Sequence, residues 1–298
     1  MTTTRTQTLE LLGVDLVFDV RGQLPTADGR RPLFLVGQPM DATGFRTLAS
    51  LLPDRTVITY DPRGIGRSTR KDGRLDHDPG IQAQDLHSVV DALGTGPVDM
   101  FASSGGAVTA LALVAIHPTD VTILVAHEPP LVEVLPDAMA ARRAVDQFLD
   151  SYTALGLGFG MASFITMTSW AGEFGDDYFA QPAPDPASFG LPSADDGTRD
   201  NPLLSGRSSA ITSYRPDVAA LVSAPTRIVI AVGEESLGTF TGRTSVAMAG
   251  LLSKEVVVFP SHHAGFAGGE FGYMGQPRAF ADRLAALLDE VERDSQPQ

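Results

Sequence analysis

Short apolar runs alternate with helix-spaced apolar residues along most of the chain. Runs bounded by turn residues predict buried strands over 32–36, 55–60, 98–102, 121–126, 227–232 and 255–259. Apolar residues at helical intervals predict helices over 45–52, 82–93, 107–116, 244–252 and 277–291. Two short strands within 8–20, separated at Gly13, predict an opening hairpin. This alternation predicts an α/β protein, with a mostly parallel central sheet covered by helices on both faces.

The strand pattern is interrupted in the middle of the chain. It stops at Glu128-Pro129-Pro130 and resumes after about residue 224. Helical patterns cover 137–155 and 162–170 in this stretch, and 181–202 is rich in Pro, Asp, Ser and Gly. We therefore predict an α/β core formed by 1–130 and 225–298, with 131–224 inserted as a helical cap.

Composition narrows the classes of partner. The 298 residues include 36 acidic and 22 basic ones, for a net charge of −14, which disfavours nucleic acids and anionic membranes as partners. No cysteine and no spaced metal-ligand set is present, so neither a metal nor another cofactor is expected. The polar N-terminus lacks a signal-type apolar region, and a cytoplasmic location is the expectation.

A serine between a predicted strand and a predicted helix is the candidate nucleophile. Ser104 has a small residue two positions before it, Ala102, and another two positions after it, Gly106. A sharp strand-to-helix turn requires such small neighbours, and with Ser103 at its centre the earlier position would be Phe101. A simpler interpretation is that Ser104 only caps the helix.

This turn resembles the nucleophile elbow of the α/β-hydrolase superfamily, with Ala102 in place of the usual first glycine. Residues 61–68 resemble the Asp-x-Arg-Gly-x-Gly-x-Ser segment of the same family, and the helical insertion falls where the family inserts its cap. The resemblance extends over nearly the whole chain. It implies the α/β-hydrolase fold and acyl transfer by a serine, a histidine and a carboxylate.

The resemblance also indicates the catalytic base among the six histidines. The family carries it in a loop after the last strand, and 259–266 resembles its Phe-Pro-x-x-His-x-Gly-Phe pattern. This alignment selects His263 over His262. The alternative is an exposed turn or an adventitious metal site.

Two glutamates are candidates for the acid. Relatives most often carry an aspartate after the strand equivalent to 227–232, where this chain has Glu235 followed by Ser236. Others carry it after the strand that follows the nucleophile helix, where this chain has Glu128. We favour Glu128 as the acid and keep Glu235 as the alternative. The simpler interpretation of either glutamate is a solvated charge in a loop, without a catalytic role.

The resemblance implies two backbone donors for an oxyanion. One is Gly105, after the nucleophile, and the other is Gln38, because residues 36–39 resemble the His-Gly-x-Pro form of the family. Val36 replaces the histidine of that form, and a tight turn without a catalytic role is the alternative.

The predicted cap suggests the kind of substrate. It is rich in aromatic residues and methionines, which either form only the core of a helical layer or also roof the site. An apolar roof predicts an esterase or lactonase acting on a hydrophobic small molecule. The candidate substrate contacts are Met40, Ser103, Phe164, Trp170 and Phe266. Carbon–carbon bond hydrolysis and a ligand-binding protein with little turnover remain alternatives, and association into a homo-oligomer is left open.

Overall fold

A single sheet organises the molecule in the computed structural model, which describes residues 3–294. Its strands are β1 (Thr4–Leu11), β2 (Val14–Arg21), β3 (Leu33–Gln38), β4 (Val57–Tyr60), β5 (Thr69–Arg70), β6 (Val98–Ser104), β7 (Val121–His127), β8 (Arg227–Gly233) and β9 (Val257–Phe259). Their order is β1-β2-β4-β3-β6-β7-β8-β9, with β5 beside β2. The β1–β2, β2–β4 and β2–β5 pairs are antiparallel. The six strands from β4 to β9 in this order are parallel, which confirms the predicted mostly parallel sheet.

Helices connect these strands. They are α1 (Arg46–Ser50), α2 (Pro79–Leu93), α3 (Gly105–Ile116), α4 (Ala138–Leu155), α5 (Leu157–Ser169), α6 (Asp176–Phe179), α7 (Ser209–Thr212), α8 (Val218–Ser223), α9 (Phe240–Leu251) and α10 (Pro277–Asp294). No helix within residues 3–294 is long and apolar enough to cross a bilayer.

The central strands are buried on both faces. Along β6, Met100 and Ala102 pack into the cluster that contains α2 and α3, whereas Phe101 packs into the cluster that contains α1 and α10. Successive side chains of a strand point to opposite faces, so a strand covered on both sides is apolar at nearly every position. This is why the continuous apolar runs predict these strands correctly.

The inserted segment has its own apolar cluster. Residues of α4 and α5, together with Phe174 and Leu204, pack with Phe240 at the start of α9. Ile211 and Leu221, later in the segment, belong instead to the cluster around α3. The chain thus returns to the central sheet before β8 begins, and the domain boundaries at 130 and 224 stay a prediction.

Several helix boundaries differ from those predicted, and two of these differences are informative. In place of the predicted helix 45–52, the chain forms a 3-10 turn, Ala42–Phe45, followed by the short α1. The Asp41 side chain caps the N-terminus of the turn. Helix α5 begins at Leu157, five residues before its predicted start, although Gly158 and Gly160 lie in its first turns. A Cβ on Gly158 would lie 1.8 Å from the Pro192 carbonyl oxygen, and one on Gly160 would lie 2.5 Å from Cβ of Tyr152. These glycines therefore allow close packing and do not end the helix.

Candidate active site

The carboxyl ends of the parallel strands converge at one edge of the sheet. Gln38 ends β3, Ser104 ends β6, Glu128 follows β7, and His263 lies in the loop after β9. Functional groups of open α/β sheets gather at this edge, since the loops after parallel strands all emerge there. The fold thus brings together four side chains that are far apart in the sequence.

Ser104 occupies the turn between β6 and α3. Its φ of 58° and ψ of −130° are rarely adopted by a residue with a side chain. A Cβ on Gly106 would lie 2.6 Å from the Val36 carbonyl oxygen, so the turn needs glycine there. The Ser104 side chain makes no capping hydrogen bond to α3, which argues against the helix-cap interpretation. The residue instead lines the cavity described below.

Glu128 and His263 form the best-defined pair of the site. Oε2 of Glu128 lies 2.6 Å from Nδ1 of His263. The same oxygen accepts a hydrogen bond of 2.5 Å from the Thr241 hydroxyl, and Oε1 accepts one of 2.9 Å from the Gly233 N–H. The carboxylate is completely buried, so these donors replace its solvation.

The surroundings keep Glu128 ionised. Burial alone would raise its pKa, but the charge and hydrogen bond of His263, together with His127 and the Thr241 hydroxyl, hold the pKa well below its ordinary value. A carboxylate accepts from Nδ1–H of His263 and so leaves the lone pair of that ring on Nε2. His263 is thereby prepared to take a proton at the nitrogen that faces away from Glu128.

Ser104 and His263 line the same cavity. Within residues 3–294, no hydrogen bond joins the Ser104 hydroxyl to the His263 ring. Catalytic hydrogen bonds commonly tighten only when substrate binds, so this geometry is compatible with proton transfer between the two groups.

Glu235, the alternative acid, occupies a different place. It is exposed on the cavity wall, and its backbone N–H donates to the Ser261 carbonyl at 3.1 Å. Among the described residues, its carboxylate makes no hydrogen bond to a histidine ring. The structure therefore pairs His263 with Glu128.

The two candidate oxyanion donors lie side by side. Gln38 is in register with Ser104 across the β3–β6 pair, and a Cβ on Gly105 would lie 3.1 Å from the Gln38 carbonyl oxygen. The loop after Gln38 is held by Asp61, whose Oδ1 accepts the Ala42 N–H at 2.9 Å. Asp61, from the segment 61–68, thus supports this loop. The chain has Val36 where the His-Gly-x-Pro form that it resembles has a histidine.

A cavity of about 610 Å³ lies over this edge of the sheet, between the core and the inserted helices. Four of the predicted substrate contacts line it, namely Met40, Ser103, Phe164 and Phe266. Trp170 is not among the described residues that line it, contrary to the prediction. Helix α5 ends at Ser169, and the Trp170 indole donates to the Glu173 carbonyl at 3.0 Å and packs against Tyr178.

His127 is a buried neighbour of the site to which the sequence analysis gave no role. It is completely buried, its Nδ1 lies 3.3 Å from the Ser103 hydroxyl, and its ring centroid is 6.1 Å from that of His263. Burial lowers its pKa to about 4, so the ring is neutral at pH 7. The position of His127 directly before Glu128, a candidate acid, was the signal in the sequence that could have identified it as part of the site.

One group of side chains within the described residues has metal-binding donors close together. It consists of His87, His117 and Asp120 and does not line the cavity. The two imidazoles stack with centroids 3.7 Å apart and an angle of 4° between their planes. An ion in the plane of one ring would lie well outside the plane of the other, so this arrangement does not fit a shared metal.

Comparisons with known proteins agree with this architecture. The sequence profile of the family described as alpha/beta hydrolase fold matches residues 33–177. The uncharacterized hydrolase YraK of Bacillus subtilis (strain 168) is 26% identical over 291 residues, which cover 96% of this chain and 97% of that protein.

Solved structures are similar over almost the whole chain. A thermophilic esterase from Thermogutta terrifontis is 20% identical, with a TM-score of 0.64 and coverage of 96% of this chain and 99% of the other. The haloalkane dehalogenase variant DbeA-M1 from Bradyrhizobium elkanii is also 20% identical, with a TM-score of 0.61 and coverage of 98% and 99%. With the strand order and the serine turn, these findings show that the chain has the α/β-hydrolase fold.

Proposed function

We propose that this protein is a serine hydrolase that cleaves ester or lactone bonds of hydrophobic small molecules through an acyl-serine intermediate. The observation that carries the proposal is the hydrogen bond between Glu128 and His263 beside a cavity that Ser104 also lines. A nucleophile, a base and a carboxylate that orients the base are the parts that acyl transfer requires.

In the proposed reaction, Oγ of Ser104 attacks the ester carbonyl carbon while its proton passes to Nε2 of His263. The Glu128 carboxylate stabilises the imidazolium, and the N–H groups of Gly105 and Gln38 donate to the oxyanion. The intermediate collapses, the ester bond breaks, and the alcohol leaves with the proton from His263. Water then attacks the acyl-serine, gives its proton to His263 and releases the acid, after which Ser104 recovers its proton.

The cavity walls support a hydrophobic substrate. Val145, Phe148 and Leu149 of α4 and Phe164 and Ile165 of α5 contribute apolar side chains. A cavity of about 610 Å³ accommodates a small molecule and not a long polymer. A solved structure similar to this chain is described as a thermophilic esterase, which agrees with action on ester bonds.

A fluorophosphonate probe tests the nucleophile. We expect the probe to label the wild-type protein and to fail on Ser104→Ala, whereas Ser103→Ala, which changes the adjacent serine, keeps the label. A panel of p-nitrophenyl esters of increasing chain length, aromatic lactones and a 1,3-diketone then defines the substrate. Absence of labelling in the folded wild-type protein would favour a ligand-binding protein, and turnover of the diketone alone would favour carbon–carbon bond hydrolysis.

A further inference from the structure

A compact turn follows the loop that carries His263. Within the segment 268–275, which we call the rim turn, Gly268 and Met274 pair as an isolated antiparallel bridge. The turn is also bound to the loop before it, since Nε2 of His262 lies 3.1 Å from the Met274 carbonyl oxygen. The rim turn therefore has a fixed position beside the candidate base.

A buried carboxylate attaches the rim turn to the core of the molecule. Oε1 of Glu270 accepts hydrogen bonds from the N–H and the hydroxyl of Thr47 in α1, at 3.0 Å and 2.5 Å. Its Oε2 accepts one of 2.6 Å from the Gly268 N–H. Hydrogen bonds to an ionised carboxylate are among the strong ones in proteins, so these contacts fix the position of the residue that follows Glu270.

Phe271, the next residue, has a strained backbone. Its φ of 52° and ψ of 24° lie in the left-handed region, which a residue with a bulky side chain rarely occupies. Such strain persists only where the surroundings impose it, and it is concentrated at functional sites. In this conformation the ring lies against the cavity wall. Cε2 of Phe271 would lie 3.2 Å from a Cβ on Gly44, and both residues line the cavity.

Phe271 and Tyr273 line the cavity and are also exposed, by 60% and 51%. Within residues 3–294, neither ring packs against another aromatic ring, whereas the other phenylalanines of the cavity wall all have an aromatic partner. Phe148 packs with Phe164, Phe240 with Phe174, and Phe266 with Phe45. Exposed apolar surface beside a cavity is typical of a ligand-binding site.

The leaving alcohol lies on this side of the cavity in the proposed reaction. Its oxygen takes a proton from Nε2 of His263 and must therefore come within hydrogen-bond reach of that ring. The rim turn begins five residues after His263 and is bound to the same loop through His262. The substituent on the alcohol oxygen consequently extends along the part of the wall where the two exposed rings lie.

We infer that Phe271 and Tyr273 form a binding site for an aromatic ring in the alcohol part of the substrate. Aromatic rings in offset or edge-to-face contact attract each other by more than the area they bury. The preferred substrates are then benzyl esters and similar esters of arylalkyl alcohols. The inference rests on the proposed esterase function and narrows its substrate class.

Two esters with the same acyl group test the inference: benzyl butanoate and cyclohexylmethyl butanoate. Their alcohols have the same carbon skeleton, and only the first is aromatic. The enzymes compared are the wild type, Phe271→Ala, Phe271→Tyr and Phe189→Ala. The tyrosine variant keeps an aromatic ring at position 271. Phe189 is the matched control, because it is also an exposed phenylalanine in a 3-10 turn but is not among the described residues that line the cavity.

The measured quantity is the ratio of kcat/KM for the benzyl ester to kcat/KM for the cyclohexylmethyl ester. Dividing the wild-type ratio by the variant ratio cancels the intrinsic reactivity of the esters and the amount of folded enzyme. We expect Phe271→Ala to lower the ratio about fivefold, which is the contribution of one aromatic pair beyond its buried area. Phe271→Tyr and Phe189→Ala keep the wild-type ratio.

The outcomes separate this inference from the proposed function. Hydrolysis of both esters with an unchanged ratio in Phe271→Ala would overturn the inference alone. Equal losses on both esters have the same meaning, because Phe271 would then act through its bulk or through folding. Probe labelling of Ser104 in a wild type that hydrolyses neither ester would also overturn only the inference. No hydrolysis of either ester and no labelling at Ser104 would overturn the proposed function and the inference with it.

Discussion

Oε2 of Glu128 lies 2.6 Å from Nδ1 of His263, although 135 positions separate the two residues in the chain. The other oxygen of Glu128 is bound to the N–H of Gly233 at the end of β8, and Thr241 of α9 bonds the oxygen that faces the histidine. Groups on β8 and α9 therefore set the position of the carboxylate, and the carboxylate sets the orientation of the imidazole. This relationship makes Glu128 the candidate acid.

Replacement of Glu128 tests that assignment. We expect Glu128→Gln to lower kcat/KM for a p-nitrophenyl ester about 10³- to 10⁴-fold, because the amide no longer stabilises the imidazolium. Glu235→Gln makes the same chemical change on the exposed cavity wall and is expected to cost less than about tenfold. Circular dichroism establishes that both variants are folded. A larger loss in Glu235→Gln would instead assign the acid to that residue.

The backbone of Ser104 predicts a reversal of the usual order of glycine and alanine. Its φ of 58° is strained for a residue with a Cβ, so Ser104→Gly should exceed Ser104→Ala in free energy of unfolding by about 1 kcal/mol. Both variants lose the hydroxyl, so the comparison concerns stability alone. Urea denaturation measures it.

Ser88, in the middle of α2, is the matched control. At a helical position glycine costs about 1 kcal/mol relative to alanine, so Ser88→Gly should be less stable than Ser88→Ala. If the alanine variant were the more stable one at both positions, the strained conformation of Ser104 would be refuted.

Much of this fold could be predicted from local pattern. The runs 98–102 and 121–126 are apolar at all but one position each, Asp99 and Thr122, because β6 and β7 are covered on both faces, and this property is visible in the sequence. The small residues around Ser104 likewise reflect a local steric need, the approach of Gly106 to the Val36 carbonyl. Features with a local cause could therefore be predicted from the sequence.

Features that depend on contacts between distant parts of the chain could not be predicted from the sequence. The choice between Glu128 and Glu235 requires the relative positions of β7, β8 and the loop after β9. Helix α5 continues through glycines because Tyr152 and Pro192 pack against them. Trp170 has an aromatic side chain typical of a pocket, yet the end of α5 directs it to Glu173 and Tyr178.

Buried His127 predicts that acid weakens the fold. Its pKa is about 4 in the folded protein and about 6.5 in an unfolded chain, so only the unfolded state binds a proton between these values. The free energy of unfolding therefore falls as the pH decreases from 6.5 to 4, and this residue contributes about 2 kcal/mol of the loss between pH 7 and 4.5.

The measurement is urea denaturation of wild type and His127→Gln across this range. The variant should lose less stability on acidification, whatever its stability at pH 7. Burial also lowers the pKa of His77 to about 4, so His77 contributes to the same loss of stability in acid. The His127→Gln variant should therefore still lose some stability as the pH decreases. An identical pH dependence in wild type and variant would mean that His127 does not stay neutral in the folded protein.

Asp99, at the start of β6, predicts a dependence of the opposite sign. Its side chain is fully buried, and burial raises its pKa to about 6, with Oδ2 3.6 Å from Nη1 of Arg55. The folded state then holds a proton that the unfolded state loses near pH 3.9, so stability falls as the pH rises toward 6. Asp99→Asn removes this penalty, and its advantage over the wild type should grow by about 2 kcal/mol between pH 4.5 and 8.

Asp289→Asn is the control for that experiment. Asp289 bonds Nη2 of Arg55 at 2.8 Å from a partly exposed position, and its removal should destabilise the protein by less than about 1 kcal/mol. The two substitutions make the same chemical change around one arginine. At pH 8 we expect Asp99→Asn to raise the free energy of unfolding and Asp289→Asn to lower it. A destabilised Asp99→Asn at pH 8 would show that the ionised carboxylate is held by Arg55 strongly enough to offset its burial.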